Sequence, residues 1–136
     1  MSQRLHRAFI RALYRRPLET YLAVQSLWWG LWALSPWDAF AVLPRAYTVL
    51  AIAPEWAWGA LFTAHGVGHV YAVLRDDDCM CRRGLLVLQY LWAVVAFNYL
   101  VTVPLSFATP TYGMLLLGSI WAYRSLSWRT AYADLA

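Results

Sequence analysis

The chain has 136 residues, of which 62% are hydrophobic, 17% aromatic and only 13% charged, whereas a soluble domain carries about 25% charged residues. This balance excludes a disordered chain, which needs low hydrophobicity and high charge, and a soluble globule, which would expose more apolar surface than monomers tolerate. All eleven basic residues are Arg and lie beside apolar runs, so the net charge of +4 reads as a membrane-orientation signal and not as a nucleic-acid surface.

In chain order, residues 2–16 form the first predicted element. Arg4, Arg7, Arg11 and Arg15 share one helical face, followed by Arg16, while Leu5, Phe9 and Leu13 share another. A basic amphipathic helix lying on an anionic leaflet has this pattern. Pro17 then suits a helix start, where its missing N–H has no intrahelical partner. Charge is absent from Thr20 to Trp37, from Trp56 to Leu74 and from Gly84 to Tyr123. A hydrocarbon core of about 30 Å takes roughly 20 helical residues. The runs therefore predict four spans, at about 18–35, 54–74, 84–103 and 110–127, with Pro104 and Pro110 bracketing the last turn. The first run ends in Leu34-Ser35-Pro36-Trp37, which is not a signal-peptide cleavage pattern, and is read as a retained span. Residues 36–53 are too short and broken to cross. They are placed along the outer interface, with a short helix from Tyr47 to Ala53, and Glu55 complements the positive end of the next helix.

The expected fold is thus an all-α integral membrane protein of one domain, residues 1–136. It has four transmembrane helices in an antiparallel bundle and an N-terminal interfacial helix. With both termini cytoplasmic, ten of the eleven Arg lie inside and only Arg45 outside, which indicates a multi-pass protein of a bacterial inner membrane. Trp32, Trp37, Trp56, Trp58 and Tyr112 form the expected outer aromatic belt, and Tyr21, Tyr71, Tyr123 and Trp128 the inner one.

Polar residues at membrane depth are costly and mark candidate sites. His65 and His69 stand one helical turn apart on one face of the second span. They can bind neighbouring helices through hydrogen bonds, sense protons, or ligate a transition metal or haem. Zinc would need two further ligands. Gln25 is a candidate partner for His65, and Gln89, Asn98 and Thr102 offer further interhelical bonds. Beside the imidazoles, Ala60, Ala64, Gly68 and Ala72 make a small-residue ladder, the pattern that lets helices approach closely in lipid. It is the expected packing and self-association face. The segment Arg75-Asp76-Asp77-Asp78-Cys79-Met80-Cys81-Arg82-Arg83 reads as a solvated inner loop, with a metal site or acylation at the Cys pair as alternatives. No Gly-rich phosphate loop, Ser elbow or HExxH motif is present, so no catalytic residues are expected.

The Arg-rich start (Arg11-Ala12-Leu13-Tyr14-Arg15-Arg16-Pro17-Leu18-Glu19), the closely spaced apolar runs and the small charged tail, residues 129–136, give the chain a recognisable plan. By that plan it resembles small polytopic membrane proteins of bacteriophages and prophages, holin-type proteins among them. The resemblance implies lateral self-association in the host inner membrane, as a permeability protein or as an assembly subunit. The expected partners are lipid, further copies of the chain, and other membrane or virion subunits. No cofactor is expected on this reading. The alternative is a redox or transport protein with haem or a metal on His65 and His69.

Overall fold

A computed structural model describes residue 10 and residues 14–36 and 39–133, with backbone only for residues 39 and 129–133. Most of the expected interfacial helix, including Arg4, Arg7 and Arg11, lies outside the described residues, as does Trp37. The described chain is helical. Helix α1 is Pro17–Ala33, α2 the short Ala39–Val42, α3 Glu55–Arg75, α4 Asp78–Thr102 and α5 Ala108–Ala133, with 3-10 turns at Pro44–Tyr47 and Leu50–Ile52.

Local chemistry sets these boundaries. Pro17 occupies the first turn of α1 and Glu19 complements its positive end. Helix α3 stops where Asp76 adopts a left-handed conformation at φ 58°. Asp is one of the few non-glycine residues that tolerates this region. Asp77 then caps α4, its Oδ1 accepting from the Met80 N–H at 2.9 Å. The Asp76–Asp77 corner thus reverses the chain within two residues. Helix α4 ends just before Pro104, as the restriction on pre-proline residues requires.

The four long helices close a ring. The most extensive contacts are α1 with α3 and α4 with α5, and smaller ones join α3 to α4 and α1 to α5. Glycine makes the α1–α3 contact close. A Cβ on Gly66 would stand 2.6 Å from Leu27 Cγ, and one on Gly59 would stand 3.0 Å from the Gly30 carbonyl oxygen. The centre is aromatic: Phe62 lies 4.4 Å from Trp29 and 5.0 Å from Trp92, ring centre to ring centre. Tyr112 stacks on Trp92 and Tyr99 and accepts from Trp29 Nε1 at 3.2 Å. Residues 44–52 fold back over α4, where Asn98 holds them.

Three expectations are corrected. Of the described helices, only α4 is both long and apolar enough to cross a membrane, so four transmembrane helices are not supported. The physical reason lies in the aromatic residues. Nine Trp and nine Tyr raise the apolar count of the sequence, yet each carries an N–H or O–H that weakens its preference for hydrocarbon. Helix α1 is also only 17 residues long, and α3 and α5 are interrupted by His, Ser, Thr and Gly. The aromatic belts are corrected in part. Trp58 is buried and donates to the Leu50 carbonyl at 2.8 Å, and Tyr112 belongs to the core stack, whereas Trp32, Trp56 and Trp128 are exposed. The expected helix from Tyr47 to Ala53 is instead the pair of 3-10 turns.

Candidate functional site

The chemistry-bearing side chains gather where the start of α1, the end of α3 and the start of α4 meet. Arg16, Glu19 and Thr20 lie on one face of the α1 entry, since residues three and four apart are neighbours on a helix. Arg16 was expected at a membrane surface. It is only 7% exposed, and its guanidinium reaches across to the α3–α4 corner. Nε donates to Asp76 at 2.8 Å and Nη2 donates to Asp78. Burial alone would lower the Arg16 pKa, but the carboxylate of Asp78, helped by Asp76, outweighs it and holds the charge more firmly than usual. Arg15 is exposed and adds a bond to Asp76 at 3.1 Å.

This pairing changes the reading of the acidic segment. Residues 75–83 are largely exposed, as expected, but are not a loop: a two-residue corner leads into the first turns of α4, and two of the three Asp anchor the α1 entry. Cys79 is exposed and Cys81 buried, both without a disulfide. Two residues apart on a helix, they point to different sides and do not converge on one ion.

His65 joins three helices. Its Nδ1 lies 3.1 Å from Ser26 Oγ on α1 and its Nε2 lies 2.9 Å from the Gly84 carbonyl on α4. The Gly84 carbonyl can only accept, so Nε2 carries the proton in the bond. The partner from α1 is thus Ser26 and not Gln25, which the sequence had offered. A buried serine is a weak signal in sequence, because its value depends on which face of α1 meets α3.

His69 is different. It is 2% exposed, and neither ring nitrogen has a hydrogen-bond partner among the described residues. Its ring centre lies 5.5 Å from that of His65. Both rings line a cavity of about 360 Å³ between α3 and α4, with Ala64, Gly68, Met80, Arg83, Gly84 and Val87. Among the described residues, no group of three His, Cys, Asp or Glu side chains comes together as a metal site.

The other expected polar residues are structural. Asn98 is fully buried and bonds the backbone of residues 46, 49 and 50, and Thr102 Oγ1 also reaches the Ala46 carbonyl at 3.2 Å. Gln89 joins α4 to α5 through the Ser119 carbonyl at 3.3 Å. The ladder does not pack α3 within the chain. Ala60 and Ala64 are exposed, a Cβ on Gly68 would meet nothing within 4 Å, and only Ala72 is buried. Gly59 and Gly66, one and two residues away from ladder positions, make the close approach instead.

Comparison with family models, with curated proteins and with solved structures gave no match.

Proposed function

We propose that this chain is a non-catalytic, self-associating protein of a lipid bilayer, acting as a permeability or assembly subunit. The observation that carries the reading is an outside as apolar as the core, with several polar side chains drawn inward. Arg16, Glu19, Thr20, Ser26, His69, Asn98 and Ser119 are buried. The outside carries large apolar side chains on every long helix, among them Trp28, Trp56, Tyr90, Phe97, Leu100, Leu117, Trp121 and Trp128. Water-soluble monomers do not expose apolar surface on this scale, and lipid covers it without loss. Helix α4 is the candidate crossing, at 25 residues. The exposed Ala60 and Ala64, beside the open Gly68, leave a smooth strip of α3 on which a second copy can pack closely.

The phage-type plan of the sequence makes timed permeabilisation the version to test first. Controlled expression in a bacterium, followed by an alkaline carbonate wash and a potential-sensitive dye, separates the parts of the proposal. The protein is expected in the washed membrane pellet, and the potential is expected to collapse once a threshold amount is reached. Release into the wash would refute membrane residence. A stable potential at high membrane levels would refute permeabilisation and leave the assembly role.

A further inference from the structure

We propose that α5 carries a binding site for an anionic phospholipid, with the phosphate on Arg124 and an acyl chain along Trp121 and the apolar strip beyond it. The proposal rests on the bilayer reading above and names a ligand for it. Trp121, Arg124, Ser125 and Trp128 share one face of α5 and line a cavity of about 410 Å³, a size that suits part of a small amphiphile. Trp121 and Trp128 are 69% and 63% exposed, and Arg124 is exposed between them. Met114 and Leu117 lie on the same face and carry the exposed apolar strip on from Trp121, away from Arg124. A charge at one end of an apolar track is the complement of an acidic head on a hydrocarbon chain.

The depth of the site fits a headgroup. Helices α4 and α5 run antiparallel, and Gln89 on α4 donates to the Ser119 carbonyl on α5. Arg124, five residues beyond Ser119, therefore stands level with Gly84, next to Arg82 and Arg83 near the start of α4. With α4 as the crossing, a long arginine side chain at this level reaches the headgroups. Trp121 stands about 4.5 Å deeper and Trp128 about 6 Å nearer the surface, in the zone where indoles settle in bilayers.

The charge of Arg124 is left for a ligand. Among the described residues, ion pairs join only Arg15 and Arg16 to Asp76 and Asp78, and Asp77 is taken up as the α4 cap. The guanidinium is always charged, and its planar fork takes two phosphate oxygens. Ser125 does not hold the ligand, because its hydroxyl donates to the Ala122 carbonyl at 2.9 Å. A zwitterionic lipid is the poorer fit. An indole pair suits its ammonium, but the ammonium would stand beside Arg124, and none of the described residues lining the cavity is a carboxylate. Arg83 borders the α3–α4 cavity, where none of the described lining residues is an indole.

The test places the full chain in two sets of vesicles with the same proportions of phosphatidylglycerol and phosphatidylcholine, and so the same surface charge. In one set the phosphatidylglycerol is brominated on its chains, and in the other an equal amount of the phosphatidylcholine. Chain bromines quench indole fluorescence on contact. Brominated phosphatidylglycerol is expected to quench more, with a preference of about fivefold, the factor that one arginine contributes at an anionic surface. Arg124→Gln should abolish the preference with an unchanged melt, and Arg45→Gln, at the other end of the bundle, should keep it. Equal quenching by both lipids in the parent, or a preference kept in Arg124→Gln, would overturn the proposal. An equal loss in Arg83→Gln would show a diffuse basic rim in place of a site, and an excess surviving in the double variant Trp121→Phe with Trp128→Phe would put the lipid elsewhere; each overturns it too. Disulfide cross-linking between copies of Ser125→Cys, in a Cys79→Ser background, would assign this face to a second copy and overturn the lipid. Protein that fails to float with the vesicles would refute the bilayer reading and the site with it, whereas floated protein without a preference refutes the site alone.

Discussion

The most direct test of the fold is Asn98→Ala. Its carboxamide oxygen accepts from the Val49 N–H at 3.0 Å and the Leu50 N–H at 3.4 Å, and its nitrogen donates to the Ala46 carbonyl at 2.7 Å. Truncation leaves the two N–H groups without an acceptor. The Ala46 carbonyl keeps the Thr102 hydroxyl and so adds little. An unmet buried donor costs about 1–3 kcal/mol. Leu50 is fully buried and takes the middle of that range, while the half-buried Val49 takes the lower end. With the small cavity left by the side chain, the expected loss is about 2–4 kcal/mol. Thr102→Val removes one hydroxyl whose proton is shared between the Ala46 and Asn98 carbonyls, and should cost about 1 kcal/mol. Thermal unfolding in detergent, followed by circular dichroism, gives the stability. Limited trypsin digestion gives the location, because exposed Arg45 lies in the segment that Asn98 holds. Asn98→Ala should be cut after Arg45 well before the parent. Stability within about 0.5 kcal/mol of the parent, together with an unchanged rate at Arg45, would show that Asn98 does not hold this segment.

Four more outcomes are expected. Gly66→Ala should destabilise by about 1–3 kcal/mol, because its Cβ meets Leu27 backbone and side chain at 2.6–2.8 Å. Gly68→Leu should leave the melt unchanged and reduce cross-linked oligomers; the reverse ranking in the two assays would place the close approach and the outer face wrongly. The double variant Asp76→Asn with Asp78→Asn should lose about 1–3 kcal/mol by leaving buried Arg16 unpaired. This is less than a fully buried pair would lose, since both carboxylates are about half exposed; Arg16→Met should lose less, and equal melts for all three proteins would refute the anchor. Tyr90 stands near the middle of α4 and is 75% exposed, so Tyr90→Arg should cost about 2.5–3.5 kcal/mol of insertion and shift protein into the carbonate wash, and an unchanged pellet fraction would show that α4 does not meet lipid there.

The local punctuation of the chain was legible. Pro17, Pro54, Pro104 and Pro110 mark helix ends or first turns because proline lacks an N–H and restricts its neighbour, and these effects act within a few residues. Helicity, the apolar character and the polar candidates followed from composition and spacing alone. The acidic corner reads from spacing as a plain solvated loop; its residues are indeed exposed, but its anchoring role is invisible because the partner, Arg16, comes from sixty residues away. The ladder at Ala60, Ala64 and Gly68 shows the same gap: spacing reveals that a face is smooth, but only packing reveals that Gly59 and Gly66 meet α1 while the ladder turns outward. Which helices are long and apolar enough to cross lipid follows from length and composition, whereas which aromatic rings sit inside depended on tertiary structure. Trp and Tyr serve equally well as core or as surface, and neighbouring helices decide between the two. The unpartnered His69 has the same origin, for nothing in the sequence says whether an imidazole will find a hydrogen bond.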